Sequence, residues 1–215
     1  MKFQKNKAVF FDFDGTLFFG TADLNTACFS HVRRAFGLEP IPPEAIHATI
    51  GMTPPEICRY LLGRDDPEAL EKYGRIMTEH MLLYVRERVS PSADLTGMLR
   101  AVRERAHVAI LSNADTAYMD AMLDALKIRS FFDTLWCYRP GYTKASAIPV
   151  LMEQLGVRAA IMVGDRLEDV EAGRVNHIGT VGMRNPVFPE ETLQADVIVC
   201  DHVQLRQVLL QKLQS

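Results

Sequence analysis

The chain has 215 residues, 48% hydrophobic and 24% charged, with 24 Lys and Arg against 27 Asp and Glu for a formal charge of −3. This balance suits one large or two modest folded domains and excludes a disordered chain, a collagenous repeat and a disulfide miniprotein. It advertises neither nucleic acid nor an anionic membrane surface as a partner, and no run of roughly 18 apolar residues offers a membrane span.

In chain order, a fully apolar strand is expected over residues 8–11 (AVFF), and its run breaks at Asp12, too early for a signal sequence. Helical spacing follows over 22–36, 43–50, 54–62 and 67–89, the last carrying Leu70, Tyr73, Met77, His80, Met81, Tyr84 and Val85 on a helical period. Further strands are expected over 108–111, 159–163, 180–183 and 197–199, with helices over 114–127, 148–155, 168–175 and 203–213. Strands alternating with helices, and apolar throughout rather than on every second residue, imply a Rossmann-like, doubly wound parallel sheet of the α/β class, covered on both faces. Roughly ninety residues part the first strand from the second, where a crossover needs only about a dozen. Residues 17–90 therefore read as an all-helical domain inserted into an α/β core of residues 1–16 and 91–215.

The four cysteines, Cys28, Cys58, Cys137 and Cys200, are too dispersed for a zinc or CxxC cluster. They are expected to be free thiols, buried as small apolar residues in a reducing compartment, with the cytoplasm as the default.

Ligands of open parallel sheets bind beyond the carboxyl ends of the strands, so the polar residues after each apolar run are the candidates. Residues 8–11 lead to Asp12, Asp14 and Thr16; 108–111 lead to Ser112 and Asn113; 159–163 lead to Asp165, with Asp169 four residues on, and Lys144 lies between. Asp12 and Asp14 are two apart at a strand end, so both carboxylates point one way while Phe13 turns inward. Asp165 adds a third hard oxygen donor, a set that suits Mg²⁺ better than zinc. Singly, each aspartate reads as a turn former or helix cap. Their joint placement at strand ends argues for a site.

DFDGTL at 12–17, LSN at 111–113, Lys144 and GDRLED at 164–169 resemble, in order and spacing, the four motifs of the haloacid dehalogenase superfamily. The resemblance spans the chain, and the helical insert resembles the cap of its phosphoglycolate phosphatase and β-phosphoglucomutase branch. It implies Asp12 as a nucleophile forming an aspartyl-phosphate and Asp14 as the acid and base. It also implies Mg²⁺ held by Asp12, the Asp14 main-chain carbonyl and Asp165, with Asp169 orienting metal-bound water. Ser112, the Asn113 amide and Lys144 would bind the phosphoryl group, and Thr16 joins the substrate-binding set. Within the cap, Thr53 in the loop from Gly51 to Glu56 is the expected specificity residue, although an N-cap for the helix opening at Pro54 explains it equally well.

The activity this implies is a Mg²⁺-dependent phosphatase acting on a small phosphorylated metabolite, phosphoglycolate-like or a sugar phosphate. A phosphomutase is the nearest alternative, disfavoured because Gly20, Leu24 and Pro54 stand where mutase relatives carry a threonine, a histidine and an arginine. A non-catalytic binding module on the same fold is a third reading. Dehalogenating relatives lack the second aspartate that Asp14 supplies, and a phosphonatase would need a cap amine, for which the insert offers only Lys72. Arg59 and Arg64 are expected on the solvated surface, and His31 and His47 fit no ligand spacing.

Overall fold

The computed structural model describes residues 5–214. Six strands, β1 (Lys7–Phe11), β2 (His107–Leu111), β3 (Thr134–Trp136), β4 (Ala159–Gly164), β5 (Gly179–Met183) and β6 (Val197–Val199), form one sheet in the order β3-β2-β1-β4-β5-β6. Every pairing is parallel. The order reverses between β1 and β4, which opens a crevice at their carboxyl ends.

Alternation along each buried strand builds two separate apolar layers. Val9, Phe11, Val108, Ile110, Ile161 and Val163 face α5 (Ala93–Arg103), α6 (Thr116–Ala125) and α9 (His202–Gln214). Ala8, Phe10, Ala109, Leu111, Ala160 and Met162 face α7 (Lys144–Leu155) and α8 (Leu167–Val175). A sheet covered on both faces requires such uninterrupted runs.

Between β1 and α5 lie α1 (Thr21–Ala35), α2 (Pro43–His47), α3 (Pro54–Leu62) and α4 (Pro67–Arg88), with no strand among the described residues. Phe29, Val32, Ile46, Cys58, Leu61 and Tyr73 give these helices an apolar cluster of their own. Leu24, Cys28, Met81 and Val85 on α1 and α4 instead join the larger cluster under the sheet, so apolar contact runs on from insert to core. None of the described helices is long and apolar enough to cross a membrane.

Several expectations are corrected. Helix 114–127 begins only at Thr116, because the Asp115 side chain accepts from the Tyr118 amide and caps it there. Helix 148–155 begins earlier, at Lys144, behind a capping box between Thr143 and Ser146. Pro149 stands inside that helix and withholds the amide that the Ala145 carbonyl would normally receive. Asn176 supplies the missing donor, its Nδ2 lying 2.8 Å from that carbonyl. The strand β3 and the helix α5 were not anticipated. Cys28, Cys58 and Cys137 are buried free thiols as expected, whereas Cys200 is exposed.

Candidate active site

The strand ends and two helix starts bring four charged side chains together. Lys144 Nζ donates to Asp12 Oδ1 at 2.8 Å and to Asp169 Oδ1 at 2.6 Å, and both ion pairs are buried. Asp12 directly follows β1, Lys144 is the first residue of α7 behind its Thr143 cap, and Asp169 lies in the first turn of α8. Asp169 Oδ2 also accepts from the Arg166 amide at 3.1 Å, so both its oxygens are occupied. Asp165, fully buried after β4, accepts from Asn185 Nδ2 at 2.5 Å. One carboxylate oxygen from each of Asp12, Asp165 and Asp169 lies within 4.8 Å of the others.

Three carboxylates around one ammonium leave an excess of negative charge out of water. Burial works against the Lys144 charge, but Asp12, Asp169 and Glu168 outweigh it and hold the lysine above its ordinary pKa. Burial, with the charges of Asp12 and Asp169, pushes the Asp165 carboxyl well above the usual range. Burial also raises Asp169 to about 7, against the pull of Lys144. A cluster that resists ionising fully is short of a cation, and its all-oxygen donors fit a hard divalent ion such as Mg²⁺.

Asp14 is placed differently. Its carboxylate is not part of the three-carboxylate cluster, in keeping with an expected role at the metal through its main-chain carbonyl alone. Thr21 Oγ1 and Tyr118 Oη donate to the same oxygen, Oδ1, at 2.7 and 2.5 Å. Burial lifts Asp14 to about 6, although both hydrogen bonds pull the other way. With Oδ1 taken twice over, a proton on this carboxyl belongs on Oδ2.

Gly15 follows at φ +81°, and a Cβ there would fall 2.2 Å from Asp165 Oδ2. The turn that carries Asp14 away from β1 therefore passes directly against the third carboxylate, an approach that only glycine permits.

A cavity opens from Asp12, Asp14, Ser112 and Asn113 towards α1 and α4. No Lys, Arg or His is found among its described lining residues. Ser112 is buried and its Oγ accepts from the Ala114 amide at 3.2 Å. Asn113 lies three residues before α6 starts, so its expected place at that helix's positive end is corrected. Its Nδ2 donates to the Gly51 carbonyl and to Glu168 Oε2, both at 3.0 Å. Arg166 donates to the neighbouring Ile50 carbonyl and is steadied by Glu191 at 2.6 Å and by the Phe188 ring 3.8 Å away. Two side chains of the core thus fasten the loop between α2 and α3.

Thr16 and Thr53 do not line the cavity. Thr16 is fully buried beneath the site, with its carbonyl accepting from His202 Nε2 at 2.9 Å. Thr53 is spent as the cap of α3, where its Oγ1 and amide both lie against Glu56 Oε2. Arg59 and Arg64 pair with Asp65 and Asp66 at the surface. Thr21, Tyr118 and Asn185 were missed. Asn185 follows β5 as Asp165 follows β4, so the rule of polar residues after apolar runs had the means to find it.

Residues 9–183 match the family model described as haloacid dehalogenase-like hydrolase. A phosphoglycolate phosphatase of Chromobacterium violaceum is 27% identical, covering 93% of this chain and 94% of its own. An N-acetylmuramic acid 6-phosphate phosphatase of Pseudomonas aeruginosa is also 27% identical, over 94% and 93%. Among solved structures, β-phosphoglucomutase from Clostridium difficile superposes with a TM-score of 0.78 at 18% identity, covering 96% of each chain, a likeness of fold. With that family match running from β1 to the end of β5, and the four polar segments gathered at the strand ends, the chain belongs to the haloacid dehalogenase-like hydrolases.

Proposed function

We propose that the protein is a Mg²⁺-dependent phosphomonoesterase acting through an aspartyl-phosphate, with residues 17–90 as a cap over the site. The observation that carries this reading is the buried cluster of Asp12, Asp165 and Asp169 around Lys144, with Asp14 beside it but held apart by Thr21 and Tyr118.

In the first half-reaction an Asp12 carboxylate oxygen attacks phosphorus, the bond from phosphorus to the ester oxygen breaks, and Asp14 Oδ2 gives its proton to the departing alkoxide. Asp14 then takes a proton from the water that attacks the aspartyl-phosphate, which releases phosphate and restores the Asp12 carboxylate. A carboxyl lifted to about 6 is suited to both tasks near neutral pH. Lys144 holds Asp12 in place and sets a positive charge beside the oxygen that attacks. Mg²⁺ would be held by Asp12, Asp165 and the Asp14 main-chain carbonyl, with Asp169 orienting its bound water, and would supply the charge that lets an anionic ester meet an anionic nucleophile. Ser112 and Asn113 stand where the phosphoryl oxygens enter.

Names among the relatives make phosphoglycolate and a sugar phosphate the first substrates to consider. Hydrolysis is favoured over mutase chemistry because the described lining of the cavity has no basic side chain to grip the second phosphate of a bisphosphate. The test is release of phosphate from an aryl phosphate: turnover with Mg²⁺ and its loss on EDTA treatment are expected. Turnover that survives EDTA overturns the metal assignment, and none under any condition favours a binding module.

Replacing Asp14 with Asn separates the acid role from the nucleophile. With an alkyl phosphate, whose leaving oxygen must be protonated, kcat is expected to fall about 10²–10⁴-fold. With an aryl phosphate the loss in the first step should be far smaller. Stopped-flow and steady-state rates on both esters check this, and equal first-step losses would rule the acid role out.

A further inference from the structure

Two side-chain positions in the cavity have no part in the chemistry above. Asn25 on α1 is 8% exposed, lines the cavity between Thr21 and Phe29, and makes no hydrogen bond within the described chain. The residue is mostly buried while its amide opens onto the cavity, where a ligand can supply the partner that the protein does not. Gly74 stands in the middle of α4, where glycine weakens a helix. It shares one face with Met77, Thr78 and Met81, all cavity-lining, at spacings of three, four and seven. A Cβ built on it would meet nothing within 4 Å. The helix thus omits a side chain on the face where one would fill the cavity.

Phe29, Ile57, Met77 and Met81 make much of the remaining wall apolar, and its further polar residues, Thr49, Thr78 and Asp115, carry no positive charge. With no Lys, Arg or His among the described lining residues, a carboxylate or second phosphate on the leaving group would lose its water and find no counter-charge. An alcohol with an apolar face and a hydroxyl or amide would lose little.

We infer that this cavity selects phosphomonoesters whose leaving group is bulky and uncharged, with Asn25 hydrogen-bonding that group and Gly74 leaving the room it occupies. The inference rests on the phosphatase reading and narrows it, and it places 2-phosphoglycolate among the poor substrates despite the names of the relatives. Specificity then resides in one amide and one missing side chain.

The experiment measures kcat/KM with Mg²⁺ for benzyl phosphate, glucose 6-phosphate, ethyl phosphate and 2-phosphoglycolate, on the wild type and on Gly74→Leu and Asn25→Leu. At least one of the two bulky uncharged esters is expected to exceed 2-phosphoglycolate by about 100-fold or more, because a charge buried without a partner is strongly disfavoured. Gly74→Leu should lower the ratio of that ester to ethyl phosphate at least tenfold while its thermal melt stays at or above wild type. Asn25→Leu should raise KM for glucose 6-phosphate more than for benzyl phosphate. Preference for 2-phosphoglycolate, or a Gly74→Leu effect equal on large and small esters, overturns the inference and leaves the phosphatase standing. Failure to turn over any ester, an aryl phosphate included, removes both.

Discussion

Asp12→Asn is expected to abolish phosphate release, with kcat down by about 10⁴-fold or more, the scale on which removing a nucleophile acts. An amide oxygen is too weak a nucleophile to displace an alkoxide, and the side chain no longer balances a metal charge. The fold should survive. Asp12, Asp165 and Asp169 face a single ammonium, so the variant keeps the 2.6 Å pair of Lys144 with Asp169 and removes the Asp12 charge, which together with burial now raises Asp165. Without added metal its melting temperature should match or exceed that of the wild type. Wild-type rates would refute covalent catalysis by Asp12, and a large drop in melting temperature would give the residue a structural part.

Lys144→Met should have the largest effect on stability. It leaves three buried carboxylates with no cation from the protein, and removing one partner of a buried charge pair costs about 3–5 kcal/mol. In a chain of this size that is a fall in melting temperature on the order of 10 °C. The carboxylates with raised pKa values respond by taking up protons, and Mg²⁺ should restore part of the loss by replacing the missing positive charge. Thermal melts with and without Mg²⁺ decide the matter. An unchanged melt in EDTA would mean that the lysine does not neutralise the cluster. Turnover should fall about 10²–10³-fold even with metal present, as for the loss of one fixed electrostatic stabiliser.

The sheet was legible because a strand buried on both faces leaves a run of four or five apolar residues, as AVFF and AAIMV do. β3 escaped because Thr134–Trp136 is an edge strand of three residues, too short for any period to register. α5 carried a readable pattern, with Leu95, Met98, Leu99 and Val102 at helical spacing behind the Ser92 cap, but Gly97 and the preceding Ser-Pro-Ser masked it. In the site, Asp12, Ser112, Lys144, Asp165 and Asp169 announce themselves because each stands at a strand end or a helix start. The contacts of Tyr118 and Thr21 with Asp14 depend on how α6 and α1 approach the turn after β1, and no local signal encodes that. Thr53 illustrates the opposite case, a residue that Glu56, three positions on, claims before any substrate does.

The loop between α2 and α3 is held by Asn113 and Arg166, and both grip carbonyl oxygens, those of Gly51 and Ile50. A carbonyl is common to all twenty amino acids. The side chain of Met52, which lines the cavity, can therefore change while the loop stays anchored, so new substrates become reachable by mutation without first rebuilding the loop's attachment to the core.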